Sequence, residues 1–169
     1  MLDTSRIEVI CFDVFGTVFD LNAAPKEERI AYAKHISQPD WSPLRLPESW
    51  KKLPAHPDSK EGIDRLRQKY VVVTCSNGPL GLLTYLSKHN HISWDAIVPL
   101  ELGRAFKPRL EAYQTVLNAL EIDPSVALMV TANEHFGDLE ASVKVGMQSI
   151  LIRTPTLPTI PSLAGLLGC

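Results

Sequence analysis

Ile7-Glu8-Val9-Ile10-Cys11-Phe12-Asp13 runs directly into Val14-Phe15-Gly16-Thr17-Val18-Phe19-Asp20. The first half is a short apolar run rich in β-branched residues, the pattern of a buried strand, and it delivers a carboxylate to a tight turn. Ligands of open α/β sheets bind outside the carboxyl ends of the strands. A glycine at position 16 lets the backbone close against a substrate there. Asp13 is therefore the candidate nucleophile, although a strand-end aspartate on its own is equally suited to capping the next turn. Thr17 is placed to hydrogen-bond the Asp13 carboxylate across the turn, whereas Asp20, a full loop beyond, reads as a turn residue.

Further strand-like runs lie at Val71 to Thr74, Ala96 to Val98, Val126 to Val130 and Ser149 to Ile152, with helical spacing between most of them. Ser59 to Gln68 places Ile63, Leu66 and Tyr70 on one face, with Asp58 as N-cap and Glu61 completing a capping box. Leu80 to Lys88, Leu110 to Leu120 and Asp138 to Val145 also read as helices, the last ended by Gly146. Strands alternating with helices predict an α/β fold with a doubly wound parallel sheet, a Rossmann-like core. Right-handed connections then gather the carboxyl ends of the strands at one edge.

Residues 22–57 interrupt that alternation. Pro25 to Ile36 reads as one helix turning Ile30, Ala33 and Ile36 inward. Pro39, Pro43, Pro47, Pro54 and Pro57 follow, with Trp41 and Trp50 among them. The prolines forbid a continuous helix, and the tryptophans are too apolar for a disordered linker. The expectation is a single domain with its core in residues 1–21 and 58–169 and a small, reduced helical cap at 22–57, packed on the site. The tail after Arg153 reads as extended, ending in a short turn at Ser162 to Leu167.

With 169 residues the chain can bury a core unaided. Seventeen basic against nineteen acidic residues, a net charge of −2, and the lack of any Lys/Arg block argue against nucleic acid as a partner. No window is apolar over the ~18 residues of a membrane span. Met1 to Arg6 lacks the basic-then-apolar build of a signal peptide. Cys11, Cys75 and Cys169 form no C-x-x-C pair, and the first two end core strands as small hydrophobes. These features predict a cytoplasmic, reduced protein. His35, His56, His89 and His91 show no metal-ligand spacing, which argues against zinc.

Three further stretches follow strand-like runs. Ser76-Asn77-Gly78, before the helix opened by Pro79, offers side-chain and backbone donors to an anionic group. Phe106-Lys107-Pro108 supplies a lysine that can keep Asp13 ionised while an anion approaches. Thr131-Ala132-Asn133-Glu134-His135-Phe136-Gly137-Asp138 supplies polar and acidic groups, among which His135 reads as a solvated loop residue.

Together with Phe12 to Asp20, these stretches resemble, in order, the four motifs of the haloacid dehalogenase superfamily. The resemblance covers most of the chain outside residues 22–52 and is closest to the L-2-haloacid dehalogenases. It implies Asp13 as nucleophile, Lys107 and Asp138 as its catalytic partners, and Phe15, Thr17, Ser76, Asn77 and Asn133 around the substrate. Counting back from Gly146-Met147 places Asp138 as the second acid of the fourth motif. Either Glu134, by spacing, or Asn133, by likeness to the dehalogenase pattern, fills the earlier position. Phosphatases of the superfamily carry a proton-donating aspartate where this chain has Phe15, and phenylalanine transfers no proton.

Three functions remain open from the residues. The first is a dehalogenase-type hydrolase acting on a small anionic substrate such as a 2-haloacid, with no cofactor, although neither Arg29 nor Arg45 sits in the pattern of that group's halide-receiving arginine. The second is a magnesium-dependent phosphatase for activated esters, with Asp13, Asp138 and Glu134 around Mg²⁺. The third is a non-catalytic descendant that binds a partner through its short cap. A short cap also leaves room for a homodimer in which a second copy closes the site.

Overall fold

Val9–Phe12 (β1) forms the middle of a five-stranded parallel sheet in the computed structural model, which describes residues 2–169. Its neighbours are β2 (Val71–Thr74) on one side and β4 (Ala127–Thr131) on the other. β3 (Ala96–Ile97) and β5 (Gln148–Leu151) close the two edges, giving the order β3-β2-β1-β4-β5. The chain leaves β1 towards β2 and β3, then returns to β1's other side as β4. That reversal opens a crevice at the carboxyl end of β1, the place where such sheets bind ligands.

Alternate residues of β1 enter different cores, as the period of a strand requires. Ile10 and Phe12 pack with Val72, Leu128 and Val130 beneath α2 (Ser59–Leu66), α3 (Leu80–His89) and α6 (Ile160–Leu166). Val9 and Cys11 pack with Val73, Ala127 and Met129 beneath α4 (Leu110–Leu120) and α5 (Asp138–Lys144). Both faces are covered, so β1 and β4 are buried throughout. This is the doubly wound α/β arrangement expected from the alternation of elements.

The remaining helix, α1 (Lys26–Ile36), belongs to the insertion after β1. The insertion enters and leaves through a narrow neck. Asp20 N donates to Pro54 O at 2.8 Å, His56 N donates to Val18 O at 2.9 Å, and Phe19 bridges Ala55 between them. Within it, Trp50 sits in a 3-10 turn at Glu48–Lys52, is fully buried, and donates from Nε1 to Glu28 of α1 at 2.8 Å.

Three local expectations need correction. Ile30 faces solvent, 58% exposed, and Ala33 is also exposed; of the three predicted inward residues only Ile36 is buried. Tyr32 sets the rotation of α1 instead, by packing against Phe15 and Trp50. Asp58 precedes α2 but makes no side-chain cap. Its carboxylate accepts from Arg153 Nη1 at 3.0 Å and Ile160 N at 2.8 Å, the first a charge-assisted bond stronger than a capping contact. The C-terminal segment forms a true helix, α6, rather than a turn. Thr159 and Ser162 make a reciprocal capping box there, and Pro161 lies in the first turn, where a missing N–H costs nothing. Gly62 of α2 allows the close approach of α6, since a Cβ there would lie 2.4 Å from Ile160.

Candidate active site

Asp13 follows β1 directly and is buried, with both carboxylate oxygens engaged. Oδ1 accepts from Lys107 Nζ at 2.8 Å. Oδ2 accepts from Thr17 Oγ1 at 2.6 Å and from Asn133 Nδ2 at 2.7 Å. The turn that carries Thr17 back over Asp13 passes through Gly16 at φ +84°, a left-handed conformation that other residues adopt at a cost. Thr17 Oγ1 in turn accepts from Ala132 N at 2.8 Å, tying the β1 turn to the end of β4.

Lys107 lies in the segment before α4 and is buried to 1% exposure. Its ammonium also reaches Asp138, 3.1 Å from Oδ1 and 3.2 Å from Oδ2. Asn77, at the end of β2, holds the Lys107 backbone from both sides. Its Oδ1 accepts from Lys107 N at 2.7 Å and its Nδ2 donates to Lys107 O at 3.3 Å. Ser76 Oγ accepts from Gly78 N at 3.1 Å, shaping the turn into α3. Asp138 opens α5, is fully buried, and accepts from the Tyr113 hydroxyl of α4.

One ammonium between two buried carboxylates determines the electrostatics. Burial, with Asp138 adding to it, raises the Asp13 carboxyl above the ordinary value of 3.8; Lys107 and the hydroxyl of Thr17 pull the other way. Burial works against the Lys107 charge, but Asp13 and Asp138 outweigh it and hold the ammonium well above the ordinary lysine value. Burial, opposed by Lys107 and reinforced by Asp138, pushes the Tyr113 phenol far up, which keeps it a donor.

Asp13 lines a cavity of about 620 Å³. One wall is α1, which presents Arg29, Tyr32, Ala33 and Ile36 at helical spacing. Phe15, Tyr32 and Trp50 pack as a triangle with ring centroids 5.3–5.7 Å apart, so the floor beside Asp13 is aromatic. Arg29 gives one Nη to Asn22 at 3.1 Å, while its buried Nε has no partner. The opposite wall is the loop 132–136.

The structure thus brings Asp13, Thr17, Lys107, Asn133 and Asp138 into one hydrogen-bonded group. Phe15 lines the cavity, and Asn77 touches it while bracing Lys107. Ser76 is buried behind them. Between the two readings of the fourth motif, Asn133 touches Asp13 and Glu134 stands exposed at the rim beside His135. Asp13, Asp138 and Glu134 are not drawn together around a common point, since Lys107 Nζ lies between the first two. Among the described residues no group of three or more His, Cys, Asp or Glu is placed to hold a metal ion. Asp20 accepts from Asn22 N in a local turn.

Two residues of the site have no signal in the sequence. Tyr113 is an ordinary core position of an amphipathic helix until its hydroxyl is seen against Asp138. Arg153 follows β5 in a left-handed conformation, φ 62°, and donates from Nε and Nη2 to Thr17 O.

A parallel sheet with an aspartate at the end of its central strand, a buried lysine from the third crossover and a polar loop after the fourth strand define the haloacid dehalogenase fold, and this chain has it. No protein-family model matches the chain. It is 27% identical over 111 residues to (S)-2-haloacid dehalogenase 4A of Burkholderia cepacia, a match covering 64% of this chain and 47% of that protein. The chain thus spans about half the length of the curated relative it matches. Among solved structures, the L-2-haloacid dehalogenase of Xanthobacter autotrophicus with chloropropionic acid covalently bound superposes with a TM-score of 0.77 at 17% identity, over 95% of this chain and 98% of that one. A second L-2-haloacid dehalogenase gives 0.79 at 17% identity, over 97% and 100%. No helix among the described residues is long and apolar enough to cross a membrane.

Proposed function

We propose that the protein is a haloacid-dehalogenase-type hydrolase that displaces halide from the carbon beside a carboxylate. The observation that carries this reading is the unequal environment of the two Asp13 oxygens. Oδ2 already accepts two hydrogen bonds, from Thr17 and Asn133, whereas Oδ1 accepts only from Lys107. Oδ1 is the freer nucleophile. It attacks C2 of the 2-haloacid, the carbon–halogen bond breaks with its electron pair leaving on the halide, and an aspartyl ester forms. Oδ2 becomes the ester carbonyl oxygen, already facing two donors of the kind that stabilise an oxyanion. Water then adds to the Cγ carbon, with Asp138 as the acceptor of its proton. The bond from Cγ to the substrate oxygen then breaks as that oxygen takes the proton back from Asp138, the 2-hydroxy acid leaves, and the remaining proton of the added water is lost to solvent as the Asp13 carboxylate is restored.

A halide leaves without a proton, so Phe15 is no obstacle to this chemistry. For a phosphate ester it would be, because losing a general acid costs on the order of 10²–10⁴-fold. Arg29, with its unpartnered Nε on the cavity wall, supplies positive charge for an anionic substrate or a departing halide. The proposal needs no metal. The three free cysteines suit a reduced, cytoplasmic setting.

The test is halide release from each enantiomer of 2-chloropropionate, with Asp13→Asn as control. Parallel reactions contain an aryl phosphate with and without magnesium. Metal-independent halide release lost in Asp13→Asn supports the proposal. Magnesium-dependent phosphate release would replace it with the phosphatase reading, and no turnover of either would leave the fold as a binding scaffold.

A further inference from the structure

We infer that the hydroxyl of Tyr32, on α1, donates a hydrogen bond to the carboxylate of the substrate and fixes it beside Asp13. The inference deepens the proposal above and rests on it for the substrate class, but its central measurement needs no turnover.

A 2-haloacid carries its carboxylate on the carbon under attack, so this anion must settle close to Asp13, itself an anion. It needs a donor there. Five cavity-lining side chains can donate: Arg29, Tyr32, Asn77, Asn133 and His135. Asn133 gives its amide to Asp13 Oδ2 at 2.7 Å and to Phe15 O at 3.2 Å. Asn77 gives one N–H to Lys107 O at 3.3 Å, and His135 stands exposed at the rim. Thr17 and Lys107 already bond Asp13 and do not line the cavity. Arg29 and Tyr32 remain, one charged and one neutral.

Tyr32 is fixed before any ligand arrives. Its ring packs against Phe15, centroids 5.7 Å apart, and against Trp50 at 5.5 Å, and Trp50 is itself tied to Glu28 of α1. Phe15 lies two residues after Asp13, which brings the phenol to the reacting group. Burial, with Asp13 adding to it, raises the phenol well above its ordinary value of 10.0, against the pull of Lys107 and of hydrogen bonding by the Asn77 side chain. The hydroxyl therefore keeps its proton at neutral pH. Asn77 favours the ionised phenol, which is the effect of a donor, so the hydroxyl proton is not given to Asn77. Nor is it given to Asp13, whose oxygens are bonded by Lys107, Thr17 and Asn133. A donor that is itself hydrogen-bonded through its oxygen is strengthened. The carboxylate is the fitting acceptor because it is charged throughout, and such a bond is about twice as strong as one between neutral groups. A carbon-bound halogen gains its charge only as it leaves.

The experiment compares the wild type with Tyr32→Phe, which keeps the ring between Phe15 and Trp50 and removes only the hydroxyl. Tyr85→Phe, at an exposed tyrosine of α3, is the control. Calorimetry measures the Kd of propionate, which has the carboxylate and nothing to displace, and kinetics follow halide release from 2-chloro- and 2-bromopropionate. Circular dichroism melting sets a temperature at which all three proteins are folded. Tyr32→Phe should raise the propionate Kd and the KM of both haloacids by about ten- to hundredfold, the loss of a hydrogen bond to a charged group. Its kcat should stay the same, since ground state and transition state lose the contact equally. Tyr85→Phe should change none of these. Unchanged Kd and KM in Tyr32→Phe would overturn the inference and leave the dehalogenase reading standing. An unchanged Kd with a kcat loss that differs between the two halides would also overturn it, giving the hydroxyl to the leaving group instead. Weakened propionate binding in Tyr32→Phe, without halide release by the wild type, would sustain the inference and overturn the reaction. A wild type that neither binds propionate nor releases halide would overturn both.

Discussion

Arg153 and Thr17 are joined by two hydrogen bonds, from Nε at 3.0 Å and Nη2 at 2.8 Å to the main-chain oxygen of Thr17. The third nitrogen of the guanidinium pairs with Asp58 at 3.0 Å. Thr17 is the residue whose hydroxyl bonds Asp13, so one arginine after the last strand braces the turn that orients the Asp13 carboxylate.

Arg153→Ala should therefore lower stability by about 1.5–3 kcal/mol, the range for hydrogen bonds to a charged group. It should also lower kcat about tenfold, equivalent to ~1.4 kcal/mol, with KM little changed. Arg153→Lys supplies a charge but no planar fork, and should recover the pairing with Asp58 more than the rate. Urea unfolding and steady-state halide release read the two effects separately.

Lys107→Met removes the only ammonium between two buried carboxylates. Breaking a buried pair by deleting one partner costs about 3–5 kcal/mol, and unfolding in urea should show a loss of that size. Adding Asp13→Asn, which removes one of the stranded charges, should restore part of it.

The pH dependence follows from the same group. In the proposed reaction Asp13 attacks as the ionised carboxylate, so the acid limb of kcat/KM should lie above the ordinary carboxylate value of 3.8, displaced by burial and by Asp138. Asn133→Ala deletes a donor to the ionised form and should move the limb further up. On the alkaline side, the folded protein raises the Lys107 pKa above that of the unfolded chain. The stability it contributes is complete below the ordinary lysine value of 10.5 and is lost as pH rises from there through the folded-state value. A urea titration from pH 9 upwards checks that sign.

Gly16→Ala places a Cβ 3.2 Å from Asn133 Oδ1 at a position with φ +84°. The backbone strain costs about 1–2 kcal/mol. Because the displaced neighbour is a donor to Asp13, turnover should fall by more than the loss of stability accounts for, as a comparison of melting with kcat will reveal.

The central strand and the placing of Asp13, Thr17 and Lys107 were legible because each belongs to a local pattern: an apolar run, a glycine turn, a residue pair before a helix. The choice between Asn133 and Glu134 was not, since counting along a loop does not say which side chain turns inward. The orientation of α1 was equally hidden. Lys26–Ile36 has little apolar periodicity, and a single tertiary contact, Tyr32 against Phe15 and Trp50, decides which face meets the site. Asp58 had every local mark of a helix cap, and a guanidinium 95 residues away took its carboxylate instead. Tyr113 matters only through a hydroxyl that meets Asp138 from another helix.

The neck formed by Val18, Asp20, Pro54 and His56 carries one more implication. It pins the ends of residues 22–53 together by main-chain bonds that do not depend on what lies between them. The entropy of closing such a loop rises only slowly with its length. Tyr32 and Trp50 aside, which form the floor beside Asp13 with Phe15, the rest of the segment can change in length, altering which molecules are admitted while the groups beneath keep their places.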